Sequence, residues 1–377
     1  MGLVRKPWKT TLALISLLIC FTVFPVGGRD TKGAPFQRGA SRIERPMTLG
    51  SPAHYVPHAP IFITNDAGFS AAGFPGDGTP ENPYRIAGLN ITSFAPNGLI
   101  YIENTQAYFQ IKDNFIQGVG GLPNAGIRLK QVRHGTIAHN IVTTCWAGIR
   151  LEDSEQNMVS YNTVSNTTSG IDLKDSEQNT VSYNTVSNHR DFGIHLGGLE
   201  GNTLSYSSIS NHRDFGIHLG GSEGNTLSHN IVTNYETGIF LGRSEGNVLA
   251  SNIVSNNSWG GITLGLSRLN TLVGNTLINN GFYVYGDHVK DYIQATVVDN
   301  VVNSRPVVYW QNVRGGSVPP DAGQVLLINT TEIEVTGQEL SHASIGLFAI
   351  FSSNLDIHHN TLSQQPFYPF YLFILTD

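Results

Sequence analysis

The decapeptide His-Arg-Asp-Phe-Gly-Ile-His-Leu-Gly-Gly occurs twice, at 189–198 and 212–221, so the chain presents histidines 23 residues apart in identical surroundings. If that interval is one structural repeat, His195 and His218 stack one above the other, with Asp172 of the preceding repeat alongside. Two imidazoles and a carboxylate at such spacing make a donor set for one transition-metal ion, zinc or copper. His189 and His212 form a second, parallel pair, and a recent duplication accounts equally for two of the four. Earlier repeats carry charge at the same motif positions: Arg150, Glu152, Asp153, Asp172, Lys174 and Asp175. A pectate-lyase type elimination needs acidic oxygens to hold Ca²⁺ against a uronate, and a Lys or Arg to take the proton alpha to its carboxylate. Asp153 and Asp175 would be the acids, with Lys174 and Arg150 as the bases. Cross-strand pairing of Arg150 with Asp172 and of Glu152 with Lys174 explains the same residues without chemistry.

Three further sets invite a reading. Asp191, Asp214 and Glu236 recur at repeat spacing and meet the carboxylate separations of glycoside hydrolysis, but neighbouring coils of any such fold do so. The column Glu155, Glu177, Glu200, Glu223 and Glu245 marks a corner, where solvated carboxylates need no cation. Trp146 and Trp259 each lie two residues before a Gly, placed to stack on sugar rings, and Thr180/Ser182, Thr203/Ser205 and Thr226/Ser228 predict a flat hydroxyl face. Gly197-Gly198 and Gly220-Gly221 leave bare rows beside His195 and His218, which predicts a shallow groove there.

The element that must position all of these is a solenoid. Gly-Ile-x-Leu recurs at Gly126, Gly148, Gly170, Gly193, Gly216, Gly238 and Gly261, always 22 or 23 residues apart. A period this constant means stacked supersecondary units that bury their apolar faces against their neighbours. Leucine-rich repeats share the period but need helix, and residues 179–198 hold β-branched residues, Asn, Ser and Gly with no apolar stripe at helical spacing. Each repeat reads as three short strands between tight corners, with Val181, Val186, Ile194 and Leu196 inward. The fold class is therefore all-β, a right-handed parallel β-helix of roughly a dozen coils. Three asparagine columns keep the beat, beginning at Asn157, Asn140 and Asn166, with Ser207 breaking the second. Stacked amide ladders explain them. Of the four sequons, at Asn90, Asn166, Asn256 and Asn329, the ladder assignment places Asn166 and Asn256 inward.

Composition bounds the partners. Charged residues make up 13%, Gly 41 of 377 and the formal charge is −6, which argues against a nucleic-acid binder. Arg5, Lys6 and Lys9 precede an apolar run, the layout of a signal peptide over 1–28, with membrane attachment only if it stays uncleaved. Residues 29–58 read as a linker, 59–85 as an N-terminal cap and 86–363 as the helix, regular over 126–280 and irregular over 281–363. The tail 364–377 is aromatic, and Phe367, Tyr368, Phe370, Tyr371 and Phe373 are expected to plug the open end or pair end-to-end with a second molecule. Removal of Cys20 with the leader leaves Cys145 as a single thiol, expected to fill core.

Asn82-Pro-Tyr-Arg-Ile86, the segment 104–111 and the Asn/Gly-Ile-x-Leu coils resemble secreted β-helix proteins of the NosD-like and CASH (carbohydrate-binding and sugar-hydrolase) group. Segments 299–310, 320–329 and 345–354 are similar to those that follow the regular coils in this group, with Asn303-Ser-Arg-Pro306 standing where Asn-Gly-Lys-Pro is usual. The resemblance covers about 61–362 and implies a secreted or surface protein, in a group spanning copper-enzyme maturation factors, sugar-active enzymes and surface proteins. The expectation is a protein that binds carbohydrate, as polysaccharide or cell-surface glycan, or another extended extracellular ligand through Trp146, Asp172, His195, His218 and Trp259 without catalysis. A sugar lyase or hydrolase, with Ca²⁺, and a metal-handling accessory protein are the alternatives.

Overall fold

The computed structural model describes residues 55–119, 124–198, 200–211, 213–292, 294–365 and 368–373. The expected signal peptide and most of the linker lie outside these residues, as do His212 and Phe367. From Tyr84 to Val302 the chain winds as a right-handed parallel β-helix with three strands per coil. Sheet A holds strands such as Thr163–Ser165, Thr185–Ser187 and Ser208–Ser210, and sheet C holds Met158–Ser160, Thr180–Ser182 and Thr203–Ser205. Sheet B collects the Gly-Ile-x-Leu strands, among them Ala147–Glu152, Ser169–Lys174, Phe192–Gly197 and Phe215–Gly220. Each strand pairs with its equivalents one coil before and after, as Val164 does with Val186 and Val186 with Ile209.

Packing dictates the repeated motif. Val181, Val186, Ile194 and Leu196 are fully buried, as alternation requires. The Gly before each Ile also faces inward: a Cβ on Gly170 would fall 2.5 Å from Val186 Cγ1, and one on Gly193 would fall 2.5 Å from the Gly216 carbonyl oxygen. The interior is too narrow there for any side chain. The backbone bulges to bring this glycine in, so Ser169 pairs with Phe192 and Ile171 with Ile194 while the glycines between them go unpaired. That bulge turns Phe192 outward.

Two asparagine columns are internal ladders. Where one Asn follows another, the Oδ1 accepts both the side-chain and the backbone N–H of the preceding coil, as Asn225 Oδ1 does from Asn202 at 3.1 and 2.9 Å. The ladders stay buried and satisfy corner backbone that would otherwise be orphaned. The column of Asn166, Asn188, Asn211, Asn234, Asn256 and Asn279 is not a third one. All six have φ between 54° and 64° and are exposed. Left-handed backbone aims the side chain outward, so the expected inward placement of Asn166 and Asn256 is corrected. The residue that follows takes the inward place, Cys145, Thr167, His189, Tyr235 and Asn257 in successive described coils. Cys145 fills core as expected, and burial pushes its thiol up to about 12.

Regular winding ends at a hairpin. Val301–Val302 pairs antiparallel with Arg305–Gln311 across Asn303 and Ser304, both at positive φ, 51° and 66°. Those are the angles of a type I′ turn. Beyond it, Gln324–Ile328 and Ile345–Ile350 are buried on both faces, serving the main core on one side and a second, smaller core around Val325, Leu327 and Leu347 on the other. Gln324 locks this block to the last sheet B strand, accepting from Phe282 N–H at 2.8 Å and donating to the Phe282 carbonyl at 2.7 Å. Tyr368–Phe373 adds one more rung, in register with Ile345–Ile350, rather than folding over the end as a plug. Its backbone continues the ladder because that edge is the nearest set of unpaired donors and acceptors.

Candidate functional site

The outer face of sheet B brings most of the expected residues into columns. Arg128, Arg150, Asp172, His195, His218, Phe240, Thr263 and Tyr283 follow one another in register. Beside them run Lys130, Glu152, Lys174, Gly197, Gly220, Gly242 and Gly265, then the left-handed corner residues Gln131, Asp153, Asp175, Gly198, Gly221, Arg243 and Leu266.

The charged block closes on itself. Arg128 donates to Glu152 at 2.8 Å, Arg150 pairs with Glu152 and lies 3.6 Å from Asp172, and Asp172 Oδ1 meets His195 Nδ1 at 2.9 Å. Side-chain exposure in this relay runs only from 10% to 25%, so the pairs are shielded from solvent and hold each other's charge. Arg150 pairs with Asp172 as expected, but Glu152 turns to the two arginines and leaves Lys174 exposed. Arg150 also sits 5.4 Å from the Trp146 ring, and Arg128 lies over Tyr101, whose hydroxyl donates to Glu103. Burial, then that hydrogen bond, pushes the Tyr101 phenol up to about 12. Asp153 and Asp175 stand exposed at the corner with φ of 47° and 48°. Asp191 pairs with its neighbour Arg190 at 3.2 Å.

The histidines join an aromatic run instead of flanking a groove. His195 and His218 stack at 5.0 Å and 19°, and Phe192 and Phe215 pack against them at 5.0 to 5.2 Å. Phe240 continues the stack at 5.2 Å from His218 and Tyr285 lies 6.5 Å beyond. The glycine row is the floor these rings lie on: a Cβ on Gly197 would fall 2.9 Å from His195 Cε1, and one on Gly242 would fall 3.0 Å from Phe240 Cε1. The expected groove is therefore filled by side chains. Burial, then the charge of neighbouring His195, brings the His218 imidazole down to about 4, and its Nδ1 has no hydrogen-bond partner among the described residues. Phe192 and Phe215 were not among the expected residues. The extra residue in the 23-residue repeats, just before Phe-Gly-Ile, is the signal that could have found them.

This packing bears on metal binding. Imidazole lone pairs lie in the ring plane, and two near-parallel rings 5.0 Å apart aim theirs side by side rather than at one point. A shared ion would need about 2.0–2.1 Å to each nitrogen. His195 Nδ1 is already engaged by Asp172. Among the described residues no group of three His, Cys, Asp or Glu is arranged to hold a metal ion. Trp146 and Trp259 are exposed, by 38% and 55%, but lie five coils apart, and so do not form one subsite. The glutamate corner holds ion pairs at its ends, Arg133 with Glu155 and Arg268 with Glu245, while Glu177, Glu200 and Glu223 line a shallow depression. Of the hydroxyl face, Ser182 and Ser205 are buried and Thr180, Thr203 and Thr226 are partly exposed.

Solved structures similar to this chain include an alginate lyase from Paenibacillus sp. str. FPU-7, at 12% identity over 80% of this chain and 99% of that one, with a TM-score of 0.44. The Dettilon tailspike protein matches at 15% identity over 77% and 60%, TM-score 0.45, and the A-module of a mannuronan C-5 epimerase from Azotobacter vinelandii at 11% over 85% and 89%, TM-score 0.45. No curated protein matches the sequence. No helix among the described residues is long and apolar enough to cross a membrane. The model of the family described as periplasmic copper-binding protein (NosD) matches residues 81–213 and 199–318, well over half of the chain, and the protein belongs to that family.

Proposed function

We propose that the protein works outside the cytoplasm and binds an extended polysaccharide or cell-surface glycan along the outer face of sheet B, without converting it. The observation that carries this reading is the in-register run of rings His195, His218 and Phe240, with Tyr285 of the glycine row 6.5 Å from Phe240, continuous with a charged block whose members neutralise each other. Stacked rings present a row of edges, apolar at Phe240 and polar at the imidazoles and the Tyr285 phenol, a mixed surface that suits sugars. A lyase needs a base and a cation free to meet a uronate, whereas Arg128 and Arg150 are held by Glu152 and Asp172. Asp153, Lys174 and Asp175 are the exposed exceptions, and they define the enzyme alternative.

The test is affinity electrophoresis of the secreted protein against a polysaccharide panel, with reducing-end and unsaturated-uronate assays on the same samples. Retardation by at least one polymer, weakened by Trp146→Ala or Trp259→Ala and without product, supports the reading. Product formation that Asp175→Ala abolishes would overturn it. Export itself rests on the leader pattern at 1–28 and the family's description, and the N-terminal sequence of secreted protein checks it.

The family's description also favours copper handling. The described residues do not fit a copper site: Cys145 is buried, Met158 lies in register between Thr136 and Thr180, and the stacked histidines aim their lone pairs side by side rather than at one point. Equilibrium dialysis of wild type and His195→Ala/His218→Ala against Cu²⁺ and Zn²⁺ is expected to show equal uptake. Uptake near 1:1 that the double variant loses would restore the metal reading.

A further inference from the structure

The corner between sheets C and A carries a second ring stack that the sheet B reading does not use. His139, Tyr161, Tyr183, Tyr206 and His229 occupy equivalent places in five consecutive coils. Successive ring centroids are 5.0, 4.9, 5.0 and 4.7 Å apart and no pair is tilted by more than 11°. The three tyrosines are 46% to 49% exposed. Their ring faces cover one another, so the stack offers solvent a ridge of ring edges and hydroxyls. No hydrogen bond to another described residue engages those hydroxyls.

The backbone here makes tyrosine an expensive choice. Tyr161, Tyr183 and Tyr206 have φ of 58°, 57° and 51°, a conformation that costs a non-glycine residue about 1–2 kcal/mol. The same corner in other coils uses Gly88, Asp113, Ser251, Gly274 and Asp299, four of which fit it at less cost. Stacking returns about 0.5–1.5 kcal/mol per pair, which roughly offsets the strain and leaves no net gain to explain the choice.

The surroundings narrow the partner. Residues 157–166, 179–188, 202–211 and 225–234 contain no Asp, Glu, Lys or Arg, so the ridge and both flanking strand rows are free of formal charge over four coils. Thr180, Thr203 and Thr226 line one side in register, Thr185 and Ser208 the other. Backbone N–H groups of the ridge donate to the next coil, as Tyr183 does to Ser205 at 3.0 Å, which leaves no free edge for a peptide strand to join. A charge-free ridge of phenols between hydroxyl rows, repeating every ~4.8 Å, matches a polymer with neutral, evenly spaced hydroxyls.

We propose that the Tyr161/Tyr183/Tyr206 ridge binds a neutral polysaccharide chain lying along the solenoid axis, about one sugar per coil, on a surface separate from sheet B. The full-length protein would be run in affinity gels containing laminarin, a mannan or alginate, alongside Tyr161→Phe/Tyr183→Phe/Tyr206→Phe, the corresponding triple Ser variant, and Trp146→Ala/Trp259→Ala. The Phe variant keeps the stack and removes only the hydroxyls, and circular dichroism confirms its fold. Expected is binding to at least one neutral polymer, weakened tenfold or more in the Phe and Ser variants and unchanged in the Trp variant. Undiminished binding by the Phe and Ser variants, loss in the Trp variant alone, or retardation by alginate only would overturn the proposal. The last two outcomes would leave the sheet B reading intact, and that reading fails separately if no polymer in the panel is bound more weakly by the Trp variant.

Discussion

His218 makes the stability of this solenoid depend on pH in a direction that can be worked out. Its imidazole lies between His195, Phe215 and Phe240, and burial with the neighbouring charge holds it down to about 4 from an ordinary 6.5. Above pH 6.5 the group is neutral in the folded and the unfolded chain alike and adds no pH dependence. Between 6.5 and about 4 the unfolded chain takes up a proton that the folded chain refuses, so stability falls as pH falls. Below about 4 both states are protonated and the loss levels off. At about 1.4 kcal/mol per pH unit of separation, the full loss is roughly 3 kcal/mol.

His218→Phe removes the titrating group while keeping a ring in place. The next coil already carries Phe240 in the same column, over the glycine row, so the substitution extends an arrangement the fold accepts. Thermal or urea unfolding of both proteins at pH 7.5, 5.5 and 4 gives a double difference from which other titrating groups largely cancel. The variant is expected to lose roughly 3 kcal/mol less than wild type between pH 7.5 and 4, with most of the divergence below 6.5. Parallel losses across the range would show that His218 is not desolvated in the folded chain.

Three further outcomes follow from the coil geometry. Gly193→Ala sets a methyl 2.5 Å from the Gly216 carbonyl oxygen and is expected to cost roughly 1–3 kcal/mol in chemical unfolding, where Gly221→Ala, with open space around it, should act only through its backbone. Ser207→Asn restores the interrupted ladder between Asn184 and Asn230 and is expected to stabilise by about 1 kcal/mol, read as a raised unfolding midpoint. Ser304→Gly relieves the second position of the type I′ turn, where φ is 66°, and is expected to stabilise by about 1 kcal/mol in the same assay.

The coil was legible because interior positions are over-determined. Ile194 and Leu196 recur as aliphatics in every regular coil, and the inward Gly admits no substitute. The Asn157 and Asn140 columns were legible for a related reason, since an amide at a buried corner accepts from the backbone and the side chain of one neighbouring coil while donating to the next amide in the column. The Asn166 column misled because asparagine suits two different corner roles. It forms a ladder when its amide points inward, and it tolerates left-handed backbone when the amide points out. Spacing is identical in both cases. Only the neighbour distinguishes them, because the inward place there belongs to Thr167, His189 and Tyr235.

Outward columns carry no such constraint, and there the reading went astray. Counting from the Gly-Ile motif put His195 beside Asp172 correctly, and the 2.9 Å contact confirms that register. It could not say that the bulge at Gly193 turns Phe192 out to cover the histidines, because alternation through an unbroken strand would bury Phe192. The tyrosine ridge escaped for the opposite reason. Propensity argues against Tyr in left-handed backbone, so a Tyr at a corner does not register as a feature unless its column is followed through successive coils. That repetition is itself the argument for function. A solenoid stacks whatever residue a corner holds, but it does not require three costly ones in succession, with half-exposed rings, on a flank cleared of charge.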